Sequence, residues 1–438
     1  LTLFLIKNQV NQLDFNAFFK SNDSKMKRLH QLSDVALQRV SLEYIRPLYE
    51  TIDWEGNLSA LLGARGVGKT TLLLQRLKQL GLPPNKALYI DLGDLYFQEN
   101  RLLDFVMEFV QQGGEHLLID EVHRYGFGTW AQELKQSYDL YHGRLSIVFT
   151  GSSAIRILDQ KADLSRRALQ FHIPGLSFRE YLHLAHDISL PQYTYQDILT
   201  NHQMITRDLL SLKGFRPLPL LQQYWREGYY PFFLSDPRGY LNRLNVMVQL
   251  VLESDIPAVI ETGRVDYQKI GRLLYAIASS VPFKPNIQKI GERLGMARET
   301  ILQYLVLLER SDLILTLRNE AKGTASLAKP DKIYLNNTNV LQTLAPTQSE
   351  IGTLRETFFF NQLEYVTHEA HFLPPEIRLP AKGDFVLLDK NDRYVFEVGG
   401  PNKKRKQVKD EPNSFLVLDV ELTGSSDRIP LWLFGLLY

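Results

Sequence analysis

Between residues 53 and 175 short apolar runs alternate with longer amphipathic stretches. The runs at 58–62, 87–90, 117–119 and 145–150 are too short for core helices and largely apolar on successive positions, the pattern of strands buried on both faces, and 169–173 is expected as a fifth strand. Between them, residues 70–80 space Leu72, Leu73 and Leu77 for one face of a helix, and 101–112 predicts another. Strands alternating with helices imply a five-stranded parallel sheet covered on both sides, closed by Pro174-Gly175. Residues 176–263 are helical in period and rich in Leu and Tyr, with an aromatic turn at Tyr229-Tyr230-Pro231-Phe232-Phe233. Helices are expected at 267–279, 286–294 and 298–310, the last two joined by Gly295-Met296-Ala297, and strands at 313–317 and 332–335. A helix at 353–368 then leads to strands at 385–388, 394–398, 414–419 and 431–435. The expected organisation is α/β and multidomain: an N-terminal segment 1–40, an α/β core 41–175, a helical segment 176–263, a helix-and-strand unit 264–345 and a last α/β domain 346–438.

Composition narrows this only slightly. A chain of 438 residues with 44% hydrophobic and 23% charged residues has material for several hydrophobic cores and is not a disordered tract. Fifty Lys and Arg against forty-nine Asp and Glu leave a net charge of +1, so any basic surface must be local. The absence of cysteine removes disulfides, zinc–thiolate sites and thiol nucleophiles, and fits a reducing cytoplasm. The apolar start Leu-Thr-Leu-Phe-Leu-Ile ends at Lys7, and no run approaches the roughly 18 apolar residues of a membrane span. No signal peptide has the usual three-part layout, so no membrane partner is expected, and a start at Leu1 fits an incomplete N-terminus.

The chemistry concentrates after the first expected strand. Gly63-Ala64-Arg65-Gly66-Val67-Gly68-Lys69-Thr70 satisfies the phosphate-loop pattern G-x-x-x-x-G-K-[ST], with Thr71 continuing into the expected helix. Glycines let successive N–H groups turn toward a phosphate, and the helix N-terminus adds partial positive charge. Lys69 would neutralise the β- and γ-phosphates of ATP, and the Thr70 hydroxyl would ligate Mg²⁺. Leu117-Leu118-Ile119 ends in Asp120 and Glu121. Asp120 would hold Mg²⁺ through water, and Glu121 would orient or deprotonate the attacking water. Thr150-Gly151-Ser152-Ser153 closes the fourth strand, where Thr150 or Ser152 would meet the γ-phosphate or the water, or else cap the next helix. Arg166 and Arg167 precede the fifth strand and would offer a cation to the transition state, or simply face solvent. His123 beside Glu121 has no assigned role, and no His-x-x-x-His pair suggests zinc.

The later segments point to interaction. Residues 286–310 have the helix–turn–helix form of a winged helix, with the wing strands after it. The second helix offers Arg298, Glu299, Thr300, Gln303 and Tyr304, and residues 264–340 hold twelve Lys and Arg against seven Asp and Glu. That excess suits duplex DNA, although winged helices also serve as dimerisation modules. The aromatic turn 229–233 would stack bases or, as the preferred reading, pack between elements. The last domain resembles a restriction-endonuclease-like fold: Glu364 on a helix, then Asp384 and Glu397 on successive strands. Active nucleases carry a lysine two residues after the second carboxylate, whereas here Gly399 stands there and Lys403, Lys404, Arg405 and Lys406 come later. The domain is therefore expected to be inactive.

An additional strand between the phosphate loop and the Asp-Glu strand, with Glu121 beside Asp120, points to the additional-strand, catalytic-glutamate class of P-loop NTPases. The phosphate loop, residues 117–130 and 149–153, and Gly175-Leu176-Ser177-Phe178-Arg179-Glu180-Tyr181-Leu182 together resemble the bacterial and archaeal AAA-type ATPases. More narrowly they resemble the group that carries a C-terminal domain of unknown function. Lys332-Ile333-Tyr334-Leu335, Gly352-Thr353-Leu354-Arg355-Glu356-Thr357-Phe358 and Gly383-Asp384-Phe385-Val386 continue the likeness over roughly residues 30–420. The resemblance implies ATP hydrolysis with Mg²⁺, a five-stranded parallel core and a helical segment behind it. ATPases of this class often form oligomers and complete their site with a neighbour's arginine, a role no arginine here can be given. Two other outputs stay open: a nucleotide-switched module that binds a protein partner with little turnover, and an ATP-dependent DNA nuclease.

Overall fold

The computed structural model describes residues 26–152, 164, 167–258, 266–320, 329–346, 350–368, 374–405 and 408–438. Ser153, Arg166 and Lys406, named above, lie outside them. Five strands, β1 (Leu58–Gly63), β2 (Ala87–Asp91), β3 (His116–Asp120), β4 (Ser146–Ser152) and β5 (Leu169–His172), form a parallel sheet in the order β2-β3-β4-β1-β5. β1 is buried at every position and β4 at all but its first, because helices cover both faces. The strand that lies between β1 and β3 in the sheet is β4, which follows both in the chain. β2, which separates them in the sequence, takes the edge. This order sets the carboxyl ends of β1, β4 and β3 side by side, the edge at which such sheets bind ligands.

The described residues form two compact units. One comprises those up to Leu62, Lys69–Gly151 and the stretch ending at Phe171; the other comprises Gly63–Gly68, Ser152 and the residues from His172 to Tyr438. In the first, the segment expected only as an approach contains a helix over 26–38 with Met26 and Leu29 buried. Its Arg28 donates two hydrogen bonds of 2.9 Å to Asp94.

In the second unit several helix starts follow their local chemistry. Ser177 and Glu180 form a capping box for Phe178–His186, Thr194 and Asp197 one for Tyr195–Leu210, and Pro217 opens Pro217–Glu227 without an N–H to lose. Tyr240–Leu250 runs into a π-helical turn at Val251–Asp255. Helices Tyr267–Ala278, Ile287–Leu294 and Arg298–Arg310 precede β6 (Ile314–Leu317) and β7 (Lys332–Leu335), which pair antiparallel, and Phe283 bridges to Ile333. Helix Ile351–Glu364 has buried residues at almost every position from Thr353 to Leu363 and serves as a core element. It accompanies a second sheet of β8 (Glu376–Arg378), β9 (Phe385–Asp389), β10 (Asp392–Gly399), β11 (Ser414–Leu418) and β12 (Arg428–Pro430), adjacent in chain order. β9 runs antiparallel to both neighbours, whereas β10, β11 and β12 are parallel.

One expected strand is misplaced. Residues 428–430 form β12, and Leu431–Leu436 is a buried 3₁₀ turn. A short apolar run carries no period that separates strand from buried helix, and β12 itself spans only three residues. No helix among the described residues is long and apolar enough to cross a membrane.

Candidate active site

The phosphate loop leaves β1 at Gly63, where a Cβ would meet the Ile173 carbonyl oxygen at 2.2 Å. Gly66 and Gly68 have φ of 83° and 101°, conformations that side-chain-bearing residues avoid. Helix Lys69–Leu80 starts directly after the loop, with Lys69 buried and Thr70 and Thr71 exposed. The helix begins where its unpaired N–H groups are available to an anion.

Asp120, the last residue of β3, is 3% exposed and accepts hydrogen bonds from three hydroxyl groups. Thr70 Oγ1 donates to Oδ2 at 2.7 Å, Tyr89 Oη donates to Oδ2 at 2.9 Å, and Thr150 Oγ1 donates to Oδ1. All three are neutral donors, so among these contacts the carboxylate is bonded without being neutralised. Burial, with the Asp120 charge next, pushes the Tyr89 phenol far above its ordinary range, which keeps it a donor. Burial likewise raises the Asp91 carboxyl, with a smaller contribution from Asp120. Thr150 also accepts from the Glu121 backbone N–H at 3.1 Å. It thus ties the ends of β3 and β4 together, the adjacency that the inserted β4 creates.

Glu121 has φ 53° and ψ 47°, a left-handed conformation that costs a residue with a side chain of order 1–3 kcal/mol. The bend turns the chain out of β3 immediately after Asp120. His123, given no role from the sequence, is buried with Nε2 3.2 Å from Glu121 Oε2. Only the one-residue separation of the two side chains hinted at this contact.

Not every expected residue joins this edge. Arg167 pairs with Asp139, Nε to Oδ1 at 2.8 Å, at the end of helix Trp130–Tyr141 and just before β5 begins. In a parallel sheet the strand starts lie opposite the strand ends, so the structure does not bring Arg167 to Asp120 and Glu121. Arg65, within the loop, pairs instead with buried Asp255, Nη2 to Oδ1 at 2.6 Å and Nε to Oδ2 at 3.2 Å.

On helix Arg298–Arg310 the residues Arg298, Glu299 and Gln303 are exposed and Thr300 is half-buried. Tyr304 is buried, and its hydroxyl accepts from the Asp266 N–H at 3.2 Å, so it belongs to packing. The aromatic turn packs as well. Tyr229, Tyr230 and Phe233 are buried, Tyr230 stacks on Phe232, and Asn337 donates to the Tyr230 hydroxyl at 3.1 Å.

In the second sheet, the β9–β10 register continued by one residue sets Asp384 opposite Glu397. The helical acid beside them is Glu356, not Glu364. Lys332 Nζ lies 3.8 Å from Asp384 and 3.9 Å from Glu356, and the Tyr334 hydroxyl donates to Glu356 at 2.6 Å. Glu364 instead lines a small cavity with His172, Asp312 and His368. Lys403 reaches back to buried Glu397 at 3.1 Å. Burial, then the Asp384 charge, pushes the Glu356 carboxyl above its ordinary range. Among the described residues no group of three or more Asp, Glu or His side chains is arranged to hold a metal ion.

Residues 55–182 match the sequence profile described as "AAA domain", and residues 218–350 match a domain of unknown function, DUF8612. The second match covers the end of the helical segment and the unit after it, and stops short of the last sheet. The uncharacterized protein MJ1637 of Methanocaldococcus jannaschii is 26% identical over 373 residues, 80% of this chain and 77% of its own. Among solved structures, AMPPCP-bound DnaA from Aquifex aeolicus is 16% identical over 60% of this chain and 84% of that one, with a TM-score of 0.24. The Hsp104–ADP complex of S. cerevisiae is 14% identical over 63% of this chain and 40% of that one, with a TM-score of 0.29. The stretch around the phosphate loop is therefore similar to an AAA domain in its profile, and it carries the phosphate-loop motif on a five-stranded parallel sheet.

Proposed function

We propose that this protein is a Mg²⁺-dependent ATPase whose later domains are interaction modules, one of them for DNA. The single observation that carries the reading is the ring of hydroxyl donors on Asp120, one of which is Thr70 of the phosphate motif. A threonine hydroxyl and a carboxylate 2.7 Å apart are the donor pair that Mg²⁺ takes beside bound nucleotide phosphates. The ion, when bound, would draw charge from the phosphate oxygens. Lys69 and the loop N–H groups of Gly63, Ala64, Arg65, Gly66, Val67 and Gly68 would hold the phosphates, with Thr71 in the first helical turn. Glu121, turned out of the strand, would position and deprotonate the attacking water, with His123 fixing the carboxylate and Thr150 holding the bend. Two variants test the assignment together. Lys69→Ala should lose ATP binding, whereas Glu121→Gln should bind ATP and lose turnover. Hydrolysis at the wild-type rate by the glutamine variant would remove Glu121 from the base position.

The exposed Arg298, Glu299 and Gln303 on helix Arg298–Arg310 support a winged helix that meets duplex DNA. The last sheet, with β9 antiparallel in an otherwise parallel set, supports a nuclease-like scaffold. Its carboxylates are engaged by Lys332 and Lys403, which favours a structural role. DNA should therefore stimulate hydrolysis without being cut. Cleavage of supercoiled or linear DNA that Asp384→Ala abolishes would overturn the structural role.

A further inference from the structure

The phosphate loop rests on a helical module that the proposed reaction leaves without a task. Arg65, third in the loop, makes a two-pronged ion pair with Asp255, whose side chain is 1% exposed while that of Arg65 is 26% exposed. A Cβ on Gly66 would stand 3.0 Å from Met247 Sδ and 3.2 Å from Phe232 Cε1, and one on Gly68 would stand 3.8 Å from Pro231 Cγ. Three positions of the loop thus face one stretch of chain, from the aromatic turn to the π-helical turn.

Asp255 closes that π turn. Pro257 follows, without an N–H for the carbonyl of Glu253 four residues back, and the helix ahead of it is widened rather than α-helical. The turn continues the contact toward helix Tyr267–Ala278. Leu252 Cδ1 would be 3.7 Å from a Cβ on Gly271, and Gln249 Nε2 donates to the Tyr275 hydroxyl at 3.1 Å. The helix so contacted is the first of the proposed winged helix.

We infer that the Arg65–Asp255 pair couples phosphate occupancy of the loop to helix Tyr267–Ala278, with Asp255 as a positioning residue that acts through Arg65. The inference rests on the nucleotide-binding reading. A nucleotide's phosphates and the Asp255 carboxylate are both anionic and draw on the same guanidinium. Phosphate at the loop weakens Arg65's hold on Asp255, and the π turn loosens against the helix that leans on it. Linkage makes the effect reciprocal: whatever loosens that helix raises nucleotide affinity.

The test uses the full chain with adenylyl imidodiphosphate and Mg²⁺. Thermal shift reads binding, and amide hydrogen exchange reads residues 251–258 and 267–278. In the wild type the nucleotide should stabilise the protein while speeding exchange in both segments. Asp255→Asn should bind the analogue more tightly, by roughly 5-fold or more, the lower end of typical coupling. Its exchange should be fast from the start and indifferent to nucleotide. Arg65→Gln, which removes the pair from the more exposed side, should also abolish the response if the asparagine variant fails to fold. A wild type that binds with no change in exchange, or an Asp255→Asn protein that responds as the wild type does, overturns the coupling alone. A wild type that does not bind at all overturns the nucleotide reading and the coupling with it.

Discussion

The protein ends a strand in a carboxylate in one sheet and sets two across a strand pair in the other, and it treats them in opposite ways. Asp120 on β3 is surrounded by Thr70, Tyr89 and Thr150, all neutral donors. Glu397 on β10 and Asp384 before β9 are met by ammonium groups, Lys403 at 3.1 Å and Lys332 at 3.8 Å. Hydroxyls orient a carboxylate and leave its charge for an incoming cation, whereas a lysine in the same place supplies the cation itself. Acids at strand ends are therefore an incomplete sign of a metal-assisted reaction; the identity of their partners decides it.

The largest effect that would sharpen this contrast lies at the phosphate loop. Lys69→Ala should weaken ATP binding by about 30-fold or more, since truncating one partner of a buried charge pair costs roughly 2–5 kcal/mol. Isothermal titration with Mg·ATP would show it. At the other sheet, Lys403→Met should cost roughly 3 kcal/mol of stability in chemical denaturation, because it strands a charge on a side chain only 1% exposed. The double replacement Glu397→Leu with Lys403→Met should be nearly neutral by comparison, as replacing a whole buried ion pair by apolar volume often is. If Lys403→Met were neutral instead, lysine neutralisation would not explain the second sheet.

A subtler check concerns Glu356. Its folded-state carboxyl binds its proton more tightly than the ordinary glutamate value of 4.5, so between that value and the raised one the native state holds more protons than the unfolded chain. Stability must then fall as pH rises through that window. Melting temperatures should show Glu356→Gln gaining on the wild type as pH is raised above about 4.5 and losing the advantage below it. The smallest effect is on helix Arg298–Arg310, proposed to meet DNA, where Arg298→Ala should lower the salt slope of duplex binding by about one.

Much of the first sheet was legible because its signals are local. Each apolar run produced a strand within two residues of its expected ends, and the glycine motif stands where a strand turns into a helix. The Asp120–Thr70 contact was legible as chemistry, since the roles assigned to these residues require them to meet. What the sequence concealed is non-local. Strand order in the sheet, the capture of Arg65 by Asp255 across 190 positions and the substitution of Glu356 for Glu364 depend on which elements pack together. Lys403 was visible only as one of several basic residues after β10; its reach back to Glu397 requires the turn that follows Gly399. Arg167 looked available because it precedes a strand, but a strand's start is the wrong edge of a parallel sheet.

The most direct test of the central claim is phosphate release from ATP by the wild type and by Asp120→Asn across a Mg²⁺ titration. Asparagine keeps the shape and an acceptor oxygen for the hydroxyls but removes the charge they leave for the ion. Wild-type hydrolysis should require Mg²⁺ and be slowed on the order of 100-fold in the variant, the scale of losing one electrostatic contribution to the transition state. Equal rates in the two proteins, or hydrolysis that ignores Mg²⁺, would contradict a carboxylate held ready for a metal ion.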